Sequence, residues 1–396
     1  PGLGLLSREA PGSIGAADIF KKEVKMKLKK LLSAFVIACS GAALLSACSQ
    51  GGTQSTEAKK ESSPEKTEAP KESEKAEMEK AEGGKRLNIV CTNFPEYDFV
   101  RAIAKDQADI TMLLKPGAES HSYEPTPEDI IKIQKSDLFL YVGGDSDEWV
   151  AGMLKSMDTK NMTIFKLMDA VDLIEEGHSE GMEPEKEEEE PAAEKSAASE
   201  GESASEKSSS EEAESEEEEG PEMDEHVWTS PVNAEKIVEK LAETMEKLDP
   251  EKKESFSKNA EDYIGKLKKL DQEFRDVVNS GKRKEIIVAD RFPFTYFCKE
   301  YGLSYYAAFP GCSTDTQPSA KTIAFLQDKV KEDQIPVVFH IELSNEQMAD
   351  AICKDTGAKK ELLNAIHNVT DEDFKAGVTY VDLMEKNVPA LKEALN

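Results

Sequence analysis

Three of the five histidines in the chain stand in segments where an imidazole could bind a metal ion. His121 begins the turn-rich segment HSYEPTP at 121–127, His226 lies in DEHVWTSP at 224–231, and His367 follows an apolar stretch near a predicted strand end. Neutral imidazole is a common ligand of zinc and other borderline divalent ions. Each histidine could equally be a surface or capping residue when taken alone, so the pattern predicts a metal site only if the fold brings the three together.

Short apolar strands alternate with helical segments on both sides of an acidic stretch, and this alternation predicts an α/β fold with mostly parallel sheets. In such sheets ligands bind at the carboxyl ends of strands, where the loop of His121 is expected. Strands are predicted at 87–92, 110–114, 138–142, 285–289, 305–308, 337–343 and around Leu362. Helices are predicted around 97–104 and at 127–135, 148–157, 231–248, 250–278, 294–300, 319–331, 346–356 and 380–395.

One of these helices is unusually long. Apolar residues recur every three or four positions from Phe256 to Val277, so that a charged helix carries one apolar stripe. At 1.5 Å per residue this helix spans on the order of 40 Å, which is more than one lobe requires. The sequence therefore predicts two α/β lobes bridged by one long α-helix.

The N-terminal region has the pattern of an exported lipoprotein. Met26 opens a basic patch, an apolar run extends from 31 to 47, and Leu45-Ser46-Ala47 precedes Cys48, which we predict to be the lipidated residue. Residues 1–25 are predicted to be upstream sequence that is not native, 26–47 the signal peptide and 48–85 a disordered tether. The N-terminal lobe is predicted at 86–248, with a disordered acidic insert at 175–225. The bridging helix is predicted at 249–280 and the C-terminal lobe at 281–396.

The charge of the chain is strongly negative and unevenly distributed. The formal net charge is -30, and the segment 175–225 alone contains 23 acidic residues and three lysines, hence -20. Because such a field repels phosphate backbones, we predict no nucleic-acid partner. The four cysteines of the predicted lobes, whose spacing matches no zinc finger or CxxC motif, are predicted to stay unpaired; they are Cys91, Cys298, Cys312 and Cys353.

The segments 121–127 and 224–231, in this order and at this separation, resemble those of bacterial ABC-transporter solute-binding lipoproteins that bind zinc or manganese. The resemblance covers nearly all of the predicted folded part and includes an acidic segment before the second histidine and a long helix after it. It implies two lobes with a metal site in the cleft between them. It also implies that His121 and His226 are two of the ligands.

The chain departs from the family pattern at the usual third histidine, where Arg291 begins the segment RFPFTYF. Arginine stays protonated and has no lone pair for a cation. His367 lies near the position of the family's final carboxylate ligand and is our first choice for the third ligand. The alternatives are His340 and Glu342, which would share one face of a strand, Asp290, and a site of two histidines completed by water.

The resemblance implies a zinc-binding receptor on the extracytoplasmic face of the cell membrane, lipid-anchored and monomeric, that delivers Zn²⁺ to an ABC transporter permease. A manganese (Mn²⁺) receptor of the same type and a surface adhesin with incidental metal binding are the alternatives. Imidazole ligands favour zinc over manganese. The chain contains neither HExxH nor GxSxG, so we predict that it is not an enzyme.

Overall fold

The computed structural model describes residues 85–182, 222–313 and 317–396, all of which belong to one compact unit covering Glu72–Asn396. The predicted signal peptide, the predicted lipidation site Cys48 and nearly all of the predicted tether lie outside the described residues. Within the described ranges, no helix has both the length and the apolar character that a bilayer span requires.

Two four-stranded sheets form the framework, and every strand pair in them is parallel. Their strand orders, β2-β1-β3-β4 and β6-β5-β7-β8, are equivalent. The central strands are almost wholly buried, as expected for parallel sheets covered on both faces. The strands are β1 (Leu87–Cys91), β2 (Ala108–Met112), β3 (Leu138–Tyr141), β4 (Thr163–Lys166), β5 (Glu285–Phe292), β6 (Ser304–Pro310), β7 (Val337–His340) and β8 (Lys359–Leu362).

Helices connect and cover these strands, and the predicted α/β fold class with parallel sheets is confirmed. We refer to the part containing β1–β4 as the first lobe and to the part containing β5–β8 as the second lobe. The helices are α1 (Phe94–Ala104), α2 (Pro127–Gln134), α3 (Glu148–Ser156), α4 (Pro231–Leu248), α5 (Lys253–Ser280), α6 (Thr295–Tyr301), α7 (Ala320–Glu332), α8 (Gln347–Thr356), α9 (Asp371–Ala376) and α10 (Tyr380–Ala394).

The long helix α5 has 28 residues and contacts both lobes. Near its start, the Tyr263 hydroxyl donates a 3.0 Å hydrogen bond to the buried carboxylate of Asp98 on α1. Near its end, the Phe274 ring packs edge-on against Phe297 on α6, with ring centroids 4.9 Å apart. The apolar stripe predicted from the sequence is therefore the surface through which one helix holds the two lobes together.

Two helix caps fix the points at which the histidine loops end. Thr126 caps α2 by accepting a hydrogen bond from the Asp129 amide, and Ser230 caps α4 by accepting one from Asn233, with Pro231 at the first helical position. Threonine, serine and a first-turn proline are the residue types that favour these positions. Each cap ends a loop that carries one of the candidate histidines.

The structure differs from the predicted elements at the end of β7. The sequence predicts a strand through Leu343, but β7 ends at His340, and Leu343 has a φ of 59° in the left-handed region. His340 and Glu342 therefore do not alternate along one strand, and the shared strand face predicted for them is wrong. Two short elements, β4 and α9, were not predicted.

The acidic insert differs from its predicted boundaries of 175–225 at both ends. Glu175 forms an antiparallel bridge with Met223, and the Asp224 amide donates a 3.0 Å hydrogen bond to the Ile174 carbonyl. Asp224 and Glu225 are buried. The last residues of the predicted insert are thus part of the folded lobe, directly before His226.

Candidate metal site

The imidazole rings of the three candidate histidines meet between the two lobes. The ring centroids of His121 and His226 are 5.5 Å apart, and that of His367 lies 5.1 Å from His121 and 5.0 Å from His226. The Nε2 atoms of His121 and His226 are 3.3 Å apart. All three side chains are almost completely buried. Residues more than 100 positions apart in the chain are thus assembled into one cluster.

Each of the three histidines lies in a different loop. His121 lies between β2 and α2, His226 begins a short 3-10 turn directly before α4, and His367 follows β8. Trp228 in that turn donates a 2.7 Å hydrogen bond from Nε1 to the Ala365 carbonyl, so the loops of His226 and His367 are tied to each other.

A carboxylate faces the Nδ1 atom of every one of these imidazoles. The pairs are His121 with Glu119 at 3.0 Å, His226 with Asp224 at 2.9 Å and His367 with Glu342 at 3.1 Å. When Nδ1 carries a proton and donates it to the carboxylate, the lone pair of the ring is on Nε2 and available to a metal. For His226 and His367 the carboxylate favours the tautomer that presents Nε2 to the shared centre, whereas Nδ1 of His121 also lies 3.1 Å from Nη1 of Arg291.

The short contact between the Nε2 atoms of His121 and His226 requires a proton or a cation between them, because two facing lone pairs repel each other. Burial lowers the pKa of His121 to about 3. Burial opposes protonation of His226 as well, but the charge and hydrogen bond of Asp224 outweigh it, so the pKa of His226 is raised. The pKa values of the two rings are thus shifted in opposite directions, and their facing Nε2 atoms lie where one divalent ion could contact both.

His367 completes the cluster from the second lobe. Burial lowers its pKa, which favours the neutral imidazole that a metal needs. Its Nε2 atom is buried and has no hydrogen-bond partner within the described part of the chain. A buried polar atom without a partner is unfavourable in a native structure. A bound ion would satisfy it, so the arrangement fits a metal.

Arg291, which stands at the family's usual third histidine, lies at the edge of the cluster. Its guanidinium donates two hydrogen bonds to Glu119, from NH1 to Oε1 at 3.1 Å and from NH2 to Oε2 at 3.0 Å. It thereby supports the carboxylate that orients His121.

The other predicted ligands lie differently. Glu342 faces Nδ1 of His367 and accepts backbone hydrogen bonds from Ala365 and His367. Asp290 accepts from the Arg291 amide, and Nδ1 of His340 lies 3.0 Å from the Ile341 carbonyl oxygen. Neither His340 nor Asp290 has a hydrogen bond or ring contact with the three histidines among the described residues.

Two further potential ligands were not singled out from the sequence. One donor atom from each of His121, Glu225, His226 and Cys312 lies within 4.8 Å of the others. The position of Glu225 next to His226 could have identified it as a potential ligand, but the predicted acidic insert at 175–225 includes Glu225. Cys312 follows β6 at the carboxyl end of the sheet, where ligands of α/β proteins bind, and this was the signal that could have identified it.

Residues 89–394 match the family described as zinc-uptake complex component A, periplasmic. The high-affinity zinc uptake system protein ZnuA of Bacillus subtilis is 36% identical over 312 residues, which cover 79% of this chain and 88% of that protein. The zinc-binding lipoprotein AdcA of Streptococcus pneumoniae is 34% identical over 308 residues, which cover 78% of this chain but only 56% of AdcA.

Solved structures give the same result. The Zn(II)-bound ZnuA-like domain of Streptococcus pneumoniae AdcA is similar with a TM-score of 0.60 and 32% identity, covering 78% of this chain and 99% of the domain. The metal-dependent lipoprotein YcdH of Bacillus subtilis is similar with a TM-score of 0.62 and 32% identity, covering 78% of this chain and 100% of that structure. The predicted resemblance to metal-binding solute-binding proteins is confirmed, and the chain belongs to the ZnuA family of periplasmic zinc-uptake components.

Proposed function

We propose that this protein captures one zinc ion outside the cytoplasm at the point where His121, His226 and His367 meet, and delivers it to the permease of an ABC importer. The observation that carries this function is the convergence of three buried imidazoles, each with Nδ1 facing a carboxylate. Such pairs hold a ring in one orientation and increase its basicity toward a metal.

The composition of the cluster favours zinc over manganese. Three neutral imidazoles are borderline donors that suit zinc, whereas manganese prefers carboxylate and carbonyl oxygens. The carboxylates of Glu119, Asp224 and Glu342 are engaged with Nδ1 atoms rather than with the shared centre. One carboxylate does approach the shared centre, because Oε1 of Glu225 lies 3.7 Å from Nε2 of His121, but both Glu225 oxygens accept hydrogen bonds from Ser146.

The location of the cluster between the lobes suits capture and release. His121 and His226 precede α5, whereas His367 follows β8 in the second lobe. A small movement of the second lobe relative to the first would separate His367 from the other two rings and weaken the site. We propose that docking on the permease, through the surfaces of both lobes beside the site, favours this movement. No covalent chemistry is required of a receptor of this kind.

The remaining parts of the proposal concern the membrane and the chain boundaries. We propose that Cys48 carries the lipid anchor, that 48–85 forms the tether to a monomeric receptor, and that 86–248, 249–280 and 281–396 are its first lobe, bridging helix and second lobe. A tether of this polar composition suits the role, because it buries too little apolar surface to fold by itself.

Zinc titration of the metal-free protein tests the site. Native mass spectrometry should show one zinc per chain, and chelator competition should show at least about tenfold weaker binding for alanine variants of His121, His226 and His367. The matched control His340→Ala should bind zinc as the wild type does. Wild-type affinity in His367→Ala would move the third ligand to Glu225 or Cys312. Absence of tight stoichiometric zinc binding in the wild type would refute the receptor function.

Delivery to the importer needs a separate test in cells. A strain without its own copy should take up less zinc at limiting metal, and expression of the wild-type protein should restore uptake. A Cys48→Ala variant should restore it less well, because the receptor would no longer be retained at the membrane. Full uptake with His226→Ala would show that delivery does not depend on this site.

A further inference from the structure

A cysteine lies beside the three histidines at a position that the sequence pattern did not mark as a ligand. Cys312 follows the end of β6, and its sulfur lies within 4.8 Å of a donor atom of each of His121, His226 and Glu225. The thiol is not part of a disulfide. Its neighbours are thus potential metal ligands rather than the apolar side chains that usually surround a structural cysteine.

The residue before it makes this position possible. A Cβ atom on Gly311 would lie 2.9 Å from Cε1 of His226 and 3.0 Å from the Phe292 carbonyl oxygen, closer than real side chains approach. Only glycine lets the chain run directly against the imidazole. The Cys312 amide then donates a 3.1 Å hydrogen bond to the buried carboxylate of Glu176, which fixes the backbone beside His226.

We propose that Cys312 supplies a thiolate as the fourth ligand of the metal held by His121, His226 and His367. This inference rests on the proposed zinc site. In a tetrahedral zinc site with Zn–N of about 2.05 Å and Zn–S of about 2.3 Å, a ligand nitrogen and sulfur are about 3.6 Å apart. The Cys312 sulfur and the nitrogens of His121 and His226, at most 4.8 Å apart, therefore need only a contraction of about 1 Å to enclose one ion.

A second observation points to a ligand at the same place. The Nε2 atom of His367 is buried, lacks a hydrogen-bond partner among the described residues, and belongs to a ring about 5 Å from His121 and His226. An ion bound by His121 and His226 would be reached by this imidazole from the second lobe and by the thiolate from the end of β6.

Glu225 is the competing fourth ligand, and its surroundings disfavour it. Its Oε2 accepts a 3.0 Å hydrogen bond from the Ser146 amide, and its Oε1 accepts one from the Ser146 hydroxyl. A Cβ on Gly144 would lie 2.7 Å from the Glu225 side chain, so the loop packs closely around this carboxylate. Its oxygens are held by the first lobe, which leaves the thiolate as the softer and less constrained donor.

A thiolate ligand would change what the site selects. Soft sulfur donors favour zinc and disfavour manganese, and a coordinating thiol loses its proton on binding. Cys312 would then be a specificity-determining residue, since it compensates for the missing family histidine and increases the preference for zinc.

Cobalt substitution of the full-length chain tests the ligand directly, because Co²⁺ bound to a thiolate has a near-ultraviolet charge-transfer band that imidazole ligands do not give. The variants are Cys312→Ser and Cys312→Ala, with Cys353→Ser, a free and partly exposed cysteine on α8, as the matched control. The wild type and Cys353→Ser should show the band. Both Cys312 variants should lose it while still binding one cobalt, and their zinc Kd should rise about 10- to 100-fold with a smaller change for manganese.

The outcomes separate this inference from the proposed function. One cobalt per chain with the band persisting in both Cys312 variants, or with no band in the wild type, would overturn the thiolate ligand and leave the imidazole site intact. Failure of the reduced wild type to bind any cobalt or zinc would overturn both. Circular dichroism of each variant shows whether a lost band reflects loss of the ligand or loss of the fold, and Cys312→Ala provides a second variant should the serine interfere.

Discussion

Arg291 of β5 and Glu119 of the first lobe form a two-point ion pair that crosses between the lobes beside the histidine cluster. Glu119 Oε1 also lies 3.0 Å from Nδ1 of His121. Burial opposes ionisation of Glu119, but the hydrogen bonds from His121 and Arg291 and the charge of Arg291 outweigh it and hold its pKa well below the usual range. An arginine at the position of a usual ligand thus contacts both the carboxylate that orients His121 and Nδ1 of His121 itself, at 3.1 Å.

Arg291→Ala should weaken zinc binding about 10- to 100-fold, because Glu119 would lose the cation that holds it against His121. The free energy of unfolding should fall by only about 1 kcal/mol, since the Glu119 side chain is partly exposed and solvent screens the pair. Isothermal titration with zinc and urea unfolding measure the two effects. Arg283→Ala is the control, because its guanidinium donates to the Gln334 carbonyl on an exposed surface. Equal zinc affinity in both variants would contradict a role for the ion pair.

The zinc affinity should rise with pH through the neutral range. Because the charge and hydrogen bond of Asp224 raise the pKa of His226, protons compete with zinc for this imidazole. Each displaced proton reduces the apparent affinity about tenfold for each pH unit below the pKa. Titrations at pH 5.5, 6.5, 7.5 and 8.5 should give a steep rise that levels off at the upper end. A flat profile would show that no imidazole proton competes with the metal.

Much of the fold follows from local patterns. The continuous apolar strands, the Thr126 and Ser230 caps and the stripe along α5 each act within a few residues, so the α/β class and the long helix could be predicted. The loop positions of His121 and His226 followed from the same signals, because each loop ends at a cap.

Other features depend on contacts between distant segments. Cys312 lies beside His226 because β6 pairs with β5 and Gly311 permits a close approach of the backbone. The residues around Cys312 predict neither the strand pairing nor the close approach. The end of β7 was mispredicted for a similar reason. Leu343 adopts a left-handed conformation that favours glycine, while Glu342 is held by the backbone of the His367 loop. Tertiary hydrogen bonding overrode the local strand pattern.

Trp228 should report zinc binding through its fluorescence. Its ring centroid lies 5.5 Å from that of His226 and 5.7 Å from that of His367, so binding of an ion to these rings changes the surroundings of the indole. The only other tryptophan, Trp149 on α3, packs against the ring of Tyr123. Zinc should therefore change the emission of the wild type and of Trp149→Phe, but not that of Trp228→Phe. A response that disappears in Trp149→Phe would show that the reporter is on α3.

Trp228→Phe should also cost about 2–4 kcal/mol of unfolding free energy, because the Ala365 carbonyl loses its 2.7 Å hydrogen bond and the smaller ring leaves a cavity in place of a fully buried indole. The loop of His367 is then less firmly held, and zinc affinity should fall as well. Chelator competition measures this loss independently of fluorescence. Unchanged affinity would show that the loop keeps its position without the indole.

The stability of the metal-free protein should fall between about pH 4.5 and pH 8 because of Glu96 on α1. Burial, reinforced by the charge of Asp147, raises the pKa of Glu96 to about 8, although hydrogen bonds from Asn93 and Thr92 act in the opposite direction. The folded state therefore keeps a proton that the unfolded state releases above its ordinary pKa, so the folded state loses stability as pH rises from the unfolded to the folded pKa. This group alone lowers the free energy of unfolding by on the order of 3 kcal/mol between pH 4.5 and 7.

Glu96→Gln stays neutral and can still accept the hydrogen bonds of Thr92 and Asn93. Its unfolding free energy should therefore decline less steeply with pH and exceed that of the wild type at pH 8. The control is Glu128→Gln, at an exposed position in the first turn of α2. In urea unfolding at each pH, its unfolding free energy should change with pH as that of the wild type does. The same pH dependence in Glu96→Gln and Glu128→Gln would mean that Glu96 is ionised in the folded protein.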